Sequence, residues 1–560
     1  MPKRVLIVGG VAAGASAATK ARREDEEAEI CLFERGPYVS FANCGLPYYI
    51  SGEINHMEDL LVVTPKRLED RFNLQVFVNH AVRRVDPKKR QIYVEDLERG
   101  GIKTHSYDSL ILAPGAYPIA PPFPGRDAPN FFMLRTIPDA EDLKKFIDER
   151  EPKRALIVGG GFIGLEALEA FTARGIGVTL VEMLPHVLPN MDPETTVHVE
   201  EEMSRMGAKI ILGNGVKSFE KDSSGLIKKT ILENGRRIAC DLVLLSIGVR
   251  PDVKLAKESG VEMGATGAIK VNDRMETSVR GIFAAGDAVE SLNLVTGKPG
   301  WFALAGPANQ QGRVAGANAV GKDLRFRGTL GTFIVRIGKI VAAKTGLSER
   351  EAQTEGYDFI TVLNHPMHHA TYYPGAKTLH MKLVAEKGSG RVLGAQVVGE
   401  EGVDKRIDVL ATAIFFGAKI GDLGDLNLAY APPFGAARDP VNQAGLVGSH
   451  LISGEVEAYH PVRAKDQDGE DVVFLDVRTP KEWEKGTIPN ALKIPVDELR
   501  KSLPEVKAKI RGRCVVPYCM EGYRSYIAYR MLKQKSVECV KNYAGGYLSY
   551  LSHRAVDIEE

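Results

Sequence analysis

The sequence predicts an α/β chain in which two Rossmann-like folds stand in tandem, followed by an α+β segment and a small C-terminal α/β domain. Three observations carry this reading. A strand, a Gly-rich turn and a helix open at "KRVLIVGGVAAGASAATKARR" and recur at "RALIVGGGFIGLEALEAF". Each copy leads to a second apolar strand that ends in an acidic residue, Glu34 or Glu182. Near the C-terminus, "CVVPYCMEGYRSYIAYRML" repeats the plan of strand, tight loop and helix on a smaller scale.

The whole chain bounds these elements. Its 560 residues suffice for several cores. Apolar residues make up 44% and charged residues 26%, the mix of an ordinary globular protein. A formal charge of +1 argues against nucleic-acid binding. Cys31, Cys44, Cys240, Cys514, Cys519 and Cys539 are scattered, so neither a disulfide nor a zinc framework is expected, no metal site is predicted, and a reducing cytoplasm fits best. "VLIVGGVAAGASAA" imitates a signal peptide, but the acidic run "EDEEAE" after it suits a buried strand and helix better. There is no run of ~18 apolar residues for a membrane span.

In the first copy, Gly9 makes the tight turn and Gly14 lets helix and strand pack closely. The middle glycine is replaced by Val11, and Glu34 follows where a carboxylate can accept from a ribose diol. The second copy is complete, with Gly159, Gly161, Gly164 and then Glu182. Two dinucleotides are therefore expected, each with its pyrophosphate at a helix N-terminus.

"YDSLILAPGA", with Ala113 and Gly115, and "CDLVLLSIGVRPD" are similar to the crossing segments of two-dinucleotide flavoprotein reductases. "GIFAAGDAVE", with Gly286 and Asp287, resembles the stretch that binds the ribityl chain, and "LAGPANQQGRVAGAN", with Ala305, resembles the helix beneath the flavin. The resemblance implies FAD on the first fold and a nicotinamide nucleotide on the second. Glu182 would repel a 2′-phosphate and "EMLPHV" offers no arginine, so NADH is the expected donor and NADPH the weaker alternative.

With "SFANCGLPYYI", these segments resemble the pyridine nucleotide-disulfide reductases over residues 1 to about 448, and within them the branch with a single redox cysteine. The fifth residue after Cys44 is Tyr49, so no C-x-x-x-x-C pair exists. Oxidases and peroxidases of that branch carry a histidine in the first turn, where this chain has Ala12; this demotes oxygen and peroxide chemistry. The coenzyme A-disulfide reductases are the better match. Their resemblance implies that Lys20, Arg22, Arg23 and Arg71 meet the phosphates of coenzyme A, while Ser40 and Asn43 orient the sulfur and the pantetheine amide. It also implies a homodimer in which Tyr372 and Tyr430, from "HATYYPGAKTLHMKL" and "LNLAYAPPFGAARDPVN", reach the other subunit's cysteine as acids; Tyr373 could exchange with Tyr372. Cys44 would rest as a mixed disulfide with coenzyme A, its thiolate pKa lowered by the flavin and local dipoles.

"VVFLDVRTPKEWEKGTIPNALKIPVDEL" resembles the opening of a rhodanese, with Thr487 in place of the usual histidine. Cys519 opens its loop and Arg524 closes it, a cradle suited to a persulfide. Cys514 and Cys539 are expected in the core, as are Cys31 and Cys240. The expected divisions are 1–120 and 253–328 for FAD, 121–252 for NAD(P)H, 329–448 for dimerisation, 449–462 as linker and 463–560 as rhodanese. Fusion to a rhodanese implies a reductase of coenzyme A disulfide, coenzyme A persulfide, other persulfides or polysulfide. The alternatives are an NADH oxidase or peroxidase, and a non-catalytic flavin redox sensor.

Overall fold

The computed structural model describes residues 2–460 and 472–559, with side chains to 556. It divides into two compact units, Met1–Met183 with Gly207–Gly331, and Leu184–Met206 with Thr332–Glu560.

The first unit holds two five-stranded parallel sheets. One runs Ile282–Ala284, Ser109–Leu112, Arg4–Val8, Glu29–Phe33, Gln75–Phe77. The other runs Lys209–Ile211, Gly177–Val181, Arg154–Val158, Leu242–Leu245, Phe131–Phe132. The inner strands are continuous aliphatic runs because both of their faces are covered. Helices Ala12–Glu24 and Ala305–Ala319 pack against each other on the first sheet. A Cβ at Gly312 would lie 2.2 Å from the carbonyl of Ala13, so only glycine permits that approach. Ala116–Pro118 and Val249–Pro251 pair antiparallel at the two predicted crossings.

The second unit is built on an antiparallel sheet ordered Phe333–Ile337, Ile340–Gly346, Val392–Gly399, Leu379–Glu386, Phe359–Asn364. Residues 184–206 belong here, although the sequence places them in the second nucleotide fold. The physical reason is a buried ionic cluster. Lys382 Nζ lies 2.9 Å from Asp192 and 2.8 Å from Glu349, and contacts Glu194, with its side chain 3% exposed. The ammonium holds the Asp192 carboxyl down at about 2 against the cost of burial.

The C-terminal domain has a parallel sheet, Leu492–Lys493, Val472–Asp476, Cys514–Tyr518, extended by a bridge from Val515 to Val540. Ala458–Tyr459 pairs parallel with Asn542–Tyr543. The expected linker at 449–462 is therefore corrected: helix Pro440–Ile452 runs into it and Ala458–Tyr459 forms a strand, while residues 461 and 462 lie outside the described residues. Cys514 and Cys539 are also corrected. They form a disulfide, because parallel pairing of Val515 with Val540 sets the preceding residues side by side.

Candidate active sites

In the first unit the two Gly-rich turns are closed by the acidic residues of the neighbouring strands. Glu34 accepts from the N–H groups of Gly10 at 2.7 Å and Gly36 at 2.8 Å, and Glu182 accepts from Gly160 at 2.6 Å. A Cβ on Gly161 would meet nothing within 4 Å, so that turn is open above its backbone. Both turns have the form that admits a pyrophosphate with a ribose beside the carboxylate.

Cys44 sits in the short turn Asn43–Gly45 ahead of helix Leu46–Ser51, which packs on the nucleotide-fold helix Phe162–Ala173. Ser40, at φ +48, ties this segment to the first turn: its N–H donates to Gly10 and its carbonyl accepts from Val62. The Asn43 amide donates to the carbonyl of Arg135 at 3.3 Å. Arg135, which the sequence reading missed, also donates to Ala116 at 3.1 Å and pairs with Asp287 at 3.3 Å. A lone arginine between two motifs carries no local signal.

Cys44 reaches solvent on one side and is crowded on the others. That crowding pushes its thiol up, Glu166 and Asp287 add to the rise, and Arg135 opposes it. In the protein alone burial is the largest cause, while Arg135 and a backbone hydrogen bond at Cys44 lower the thiol; the lowering expected from the flavin environment belongs to the cofactor-bound protein. Glu166, also missed, is itself pushed up to about 7 by burial, with Glu169 adding to the shift.

The basic residues expected around coenzyme A divide. Arg23 and Arg71 are exposed, and Arg71 lines an open groove with Thr64, Lys66, Arg67 and Asp70. Lys20 pairs with Glu24. Arg22 is corrected: it is 4% exposed and donates to the carbonyls of Phe72 at 2.8 Å, Asn73 at 2.9 Å, Asp25 and Glu26. Its guanidinium spends four of its five N–H groups capping two helix ends.

In the second unit, Tyr372 and Tyr430 come from distant segments and join their hydroxyls at 2.7 Å. Tyr372 is 72% exposed, whereas Tyr373 packs edge-on against His369.

The rhodanese-like loop begins where strand Cys514–Tyr518 ends. Cys519 is 2% exposed, and the Gly522 N–H donates to its sulfur at 3.1 Å, with Gly522 at φ +111. Arg524, at the start of helix Tyr523–Gln534, forms two parallel bonds to Glu482, at 2.8 and 2.7 Å. Arg524 and then the Thr479 backbone and hydroxyl hold Glu482 down at about 2. Burial pushes Glu521 up, with Arg524 opposing and Glu482 reinforcing. The strand beneath the loop is fixed by buried Tyr518, whose hydroxyl donates to Asp476 at 2.6 Å while Arg478 donates to both Asp476 oxygens.

The C-terminal helix Gly546–Glu559 joins this loop to the antiparallel sheet. Tyr547 and Leu548 donate their N–H groups to the carbonyls of Cys519 and Met520. Ser549 bonds His365 at 2.8 Å, His365 meets His380 at 3.0 Å, and His380 stacks on His198 at 3.6 Å. Full burial pushes His365 down to about 3.

Known proteins share this plan. The family model for the pyridine nucleotide-disulphide oxidoreductases matches residues 3–312, its dimerisation domain residues 334–440, and the rhodanese-like domain residues 462–553. The chain is 36% identical over 442 residues to the NAD(P)H coenzyme A polysulfide/persulfide reductase of Pyrococcus horikoshii, covering 79% of this chain and 97% of that one. It is 33% identical over 444 residues to the coenzyme A disulfide reductase of Staphylococcus haemolyticus, covering 79% and 98%. Reduced Bacillus anthracis CoADR-RHD superposes with a TM-score of 0.95 at 40% identity, covering 99% and 98%.

Proposed function

Because the chain belongs to the pyridine nucleotide-disulphide oxidoreductases and ends in a rhodanese-like domain, we propose that it reduces sulfane sulfur held on coenzyme A, using NAD(P)H and FAD. Coenzyme A disulfide, coenzyme A persulfide, other persulfides and polysulfide are its substrate class. The observation that carries this is Cys44: a free, exposed thiol among Asp287, Arg135 and Glu166, while the disulfide of the chain lies elsewhere, between Cys514 and Cys539.

FAD, when bound, supplies two-electron transfer between the nicotinamide and sulfur. Gly9, Gly14, Glu34, Ala113, Gly115, Gly286, Asp287 and Ala305 would hold it, and Gly159, Gly161, Gly164 and Glu182 would hold the nicotinamide nucleotide. Arg135 fixes Asp287 and, through the Asn43 amide, the turn that carries Cys44. The Cys44 thiolate attacks the carbon-bound sulfur of coenzyme A persulfide, hydrosulfide leaves, and Cys44 becomes a mixed disulfide with coenzyme A. NADH and a proton then return the Cys44 thiol and free coenzyme A, so one NADH yields one sulfide. Lys20, Arg23 and Arg71 remain to bind phosphate, Ser40 and Asn43 to orient the pantetheine. The exposed Tyr372–Tyr430 pair would protonate the departing thiolate, in a homodimer where each pair serves the other subunit's Cys44.

Cys519 accepts sulfane sulfur as a persulfide and hands it to the coenzyme A thiol. Among the described residues no helix is long and apolar enough to cross a membrane; the cytoplasm, where NADH is supplied, is the compartment we assign. The divisions we propose are 1–120 and 253–328 for FAD, 121–252 without residues 184–206 for NAD(P)H, 329–448 for dimerisation and 463–560 as the rhodanese-like domain.

The intact mass of denatured, unreduced protein tests this. A coenzyme A adduct is expected on the native chain and absent from Cys44→Ser, with NADH-dependent sulfide release lost in the same variant. An unmodified native chain that releases no sulfide would end the proposal.

A further inference from the structure

The Cys519 loop has an unusual charge balance for a site that handles anionic sulfur. Arg524 is its cation, and each of its two terminal nitrogens donates once to Glu482, at 2.8 and 2.7 Å. Glu521, two residues after Cys519 in the same loop, adds a second carboxyl close enough to feel both Arg524 and Glu482. Cys519 is nearly sealed, at 2% exposure, so a donor must bring its sulfur past this rim. The charge of Arg524 is thus already balanced by Glu482 before any substrate arrives, and the rim turns negative as Glu521 ionises.

We infer that Glu482 and Glu521 make this loop select sulfane sulfur borne on an organic thiol and reject compact dianions such as thiosulfate. This rests on the proposed role of Cys519 as sulfur carrier and names the donor class for that role. In thiosulfate both charges lie within a few ångströms of the transferred sulfur, and like-charge approach in a partly buried rim is costly. A thiol persulfide brings at most one charge at its reacting end, its other charges lying far along the chain. The Cys519 thiolate attacks the outer sulfur of R–S–SH, the S–S bond breaks, and R–S⁻ leaves with the electron pair. The outer sulfur of the new Cys519 persulfide is then attacked by an acceptor thiolate, which regenerates the Cys519 thiolate. No outside oxidant or reductant is needed.

Sulfur transfer to cyanide, read as thiocyanate without NADH, tests this on the full-length flavoprotein with glutathione persulfide and thiosulfate as donors. Wild-type kcat/KM should favour the persulfide by about a hundredfold. Glu521→Lys should raise kcat/KM for thiosulfate about tenfold, and Glu521→Gln about threefold, narrowing the ratio of the two donors. In the wild-type protein, which needs no variant to fold, raising ionic strength from about 20 to about 300 mM should speed the thiosulfate reaction more than the persulfide reaction. Unchanged donor ratios in both variants, or a thiosulfate rate that falls with salt, overturns the inference. Persulfide transfer that survives Cys519→Ser would instead overturn the carrier role beneath it.

Discussion

The backbone N–H of Tyr547 donates to the carbonyl oxygen of Cys519 at 2.7 Å, so the first turn of the C-terminal helix holds the loop that carries Cys519. Leu548 does the same for Met520 at 3.1 Å. Two helix N–H groups that would otherwise lack partners thus fix the two loop carbonyls. Gly546 makes the approach, at φ +66, where an added Cβ would lie 2.6 Å from the Cys519 oxygen. Gly546→Ala is expected to cost ~2 kcal/mol in stability and to slow sulfur transfer to cyanide about tenfold. Transfer at the wild-type rate would show that this contact does not shape the loop.

His365 anchors the same helix through Ser549 and is fully buried, so its folded pKa, about 3, lies below the unfolded value of about 6.5. The unfolded chain therefore binds the proton first. The contribution is complete above pH ~6.5 and is lost as pH falls toward 3, amounting to ~2 kcal/mol by pH 5. Urea unfolding at pH 7.5 and pH 5 should show that loss, and His365→Asn should lessen it. A stability that is flat over this interval would contradict the buried neutral imidazole.

The Cys514–Cys539 disulfide closes a loop spanning 25 residues that contains Cys519 and helix Tyr523–Gln534. Constraint of the unfolded chain by such a loop stabilises by about 3 kcal/mol. Calorimetry with and without a thiol reductant should show the rhodanese-like domain melting earlier once reduced, and Cys539→Ser should match the reduced protein. Identical melting curves would mean that the parallel pairing of Val515 with Val540 suffices alone.

Burial, and then Glu166 and Asp287, push the Cys44 thiol up, and Arg135 opposes them. Removing that cation must raise the pKa further. In Arg135→Met, the pH midpoint for alkylation of reduced Cys44 by iodoacetamide should move upward, by up to about one unit. A midpoint that stays or falls would show that Arg135 acts only by holding Asp287 and the Cys44 turn.

Much of both sites was legible because its signals are local. Gly9 and Gly14, or Gly159 and Gly164, report a turn and a close packing within six residues, and Glu34 and Glu182 end the next strand. Cys519 and Arg524 likewise bracket one loop. Arg22 misled for the same reason. A basic helix end reads as solvent-facing, and nothing nearby announces that the carbonyls of Phe72 and Asn73 fold back onto it. Glu482 was overlooked because its partner, Arg524, lies 42 residues away.

Sequence alone determined the two nucleotide folds, the unpaired Cys44 ahead of its Gly-Leu-Pro turn and the strand, loop and helix around Cys519, since apolar periodicity, glycine spacing and residue type act over one or two turns of chain. Tertiary structure decided the rest: Arg135 set against Asp287, Lys382 enclosed by Asp192, Glu194 and Glu349, Cys514 joined to Cys539, and a C-terminal helix bound to both Cys519 and His365. Charges and thiols acquire their partners only when packing brings distant segments together and excludes water. Burial then fixes which of those groups stay ionised.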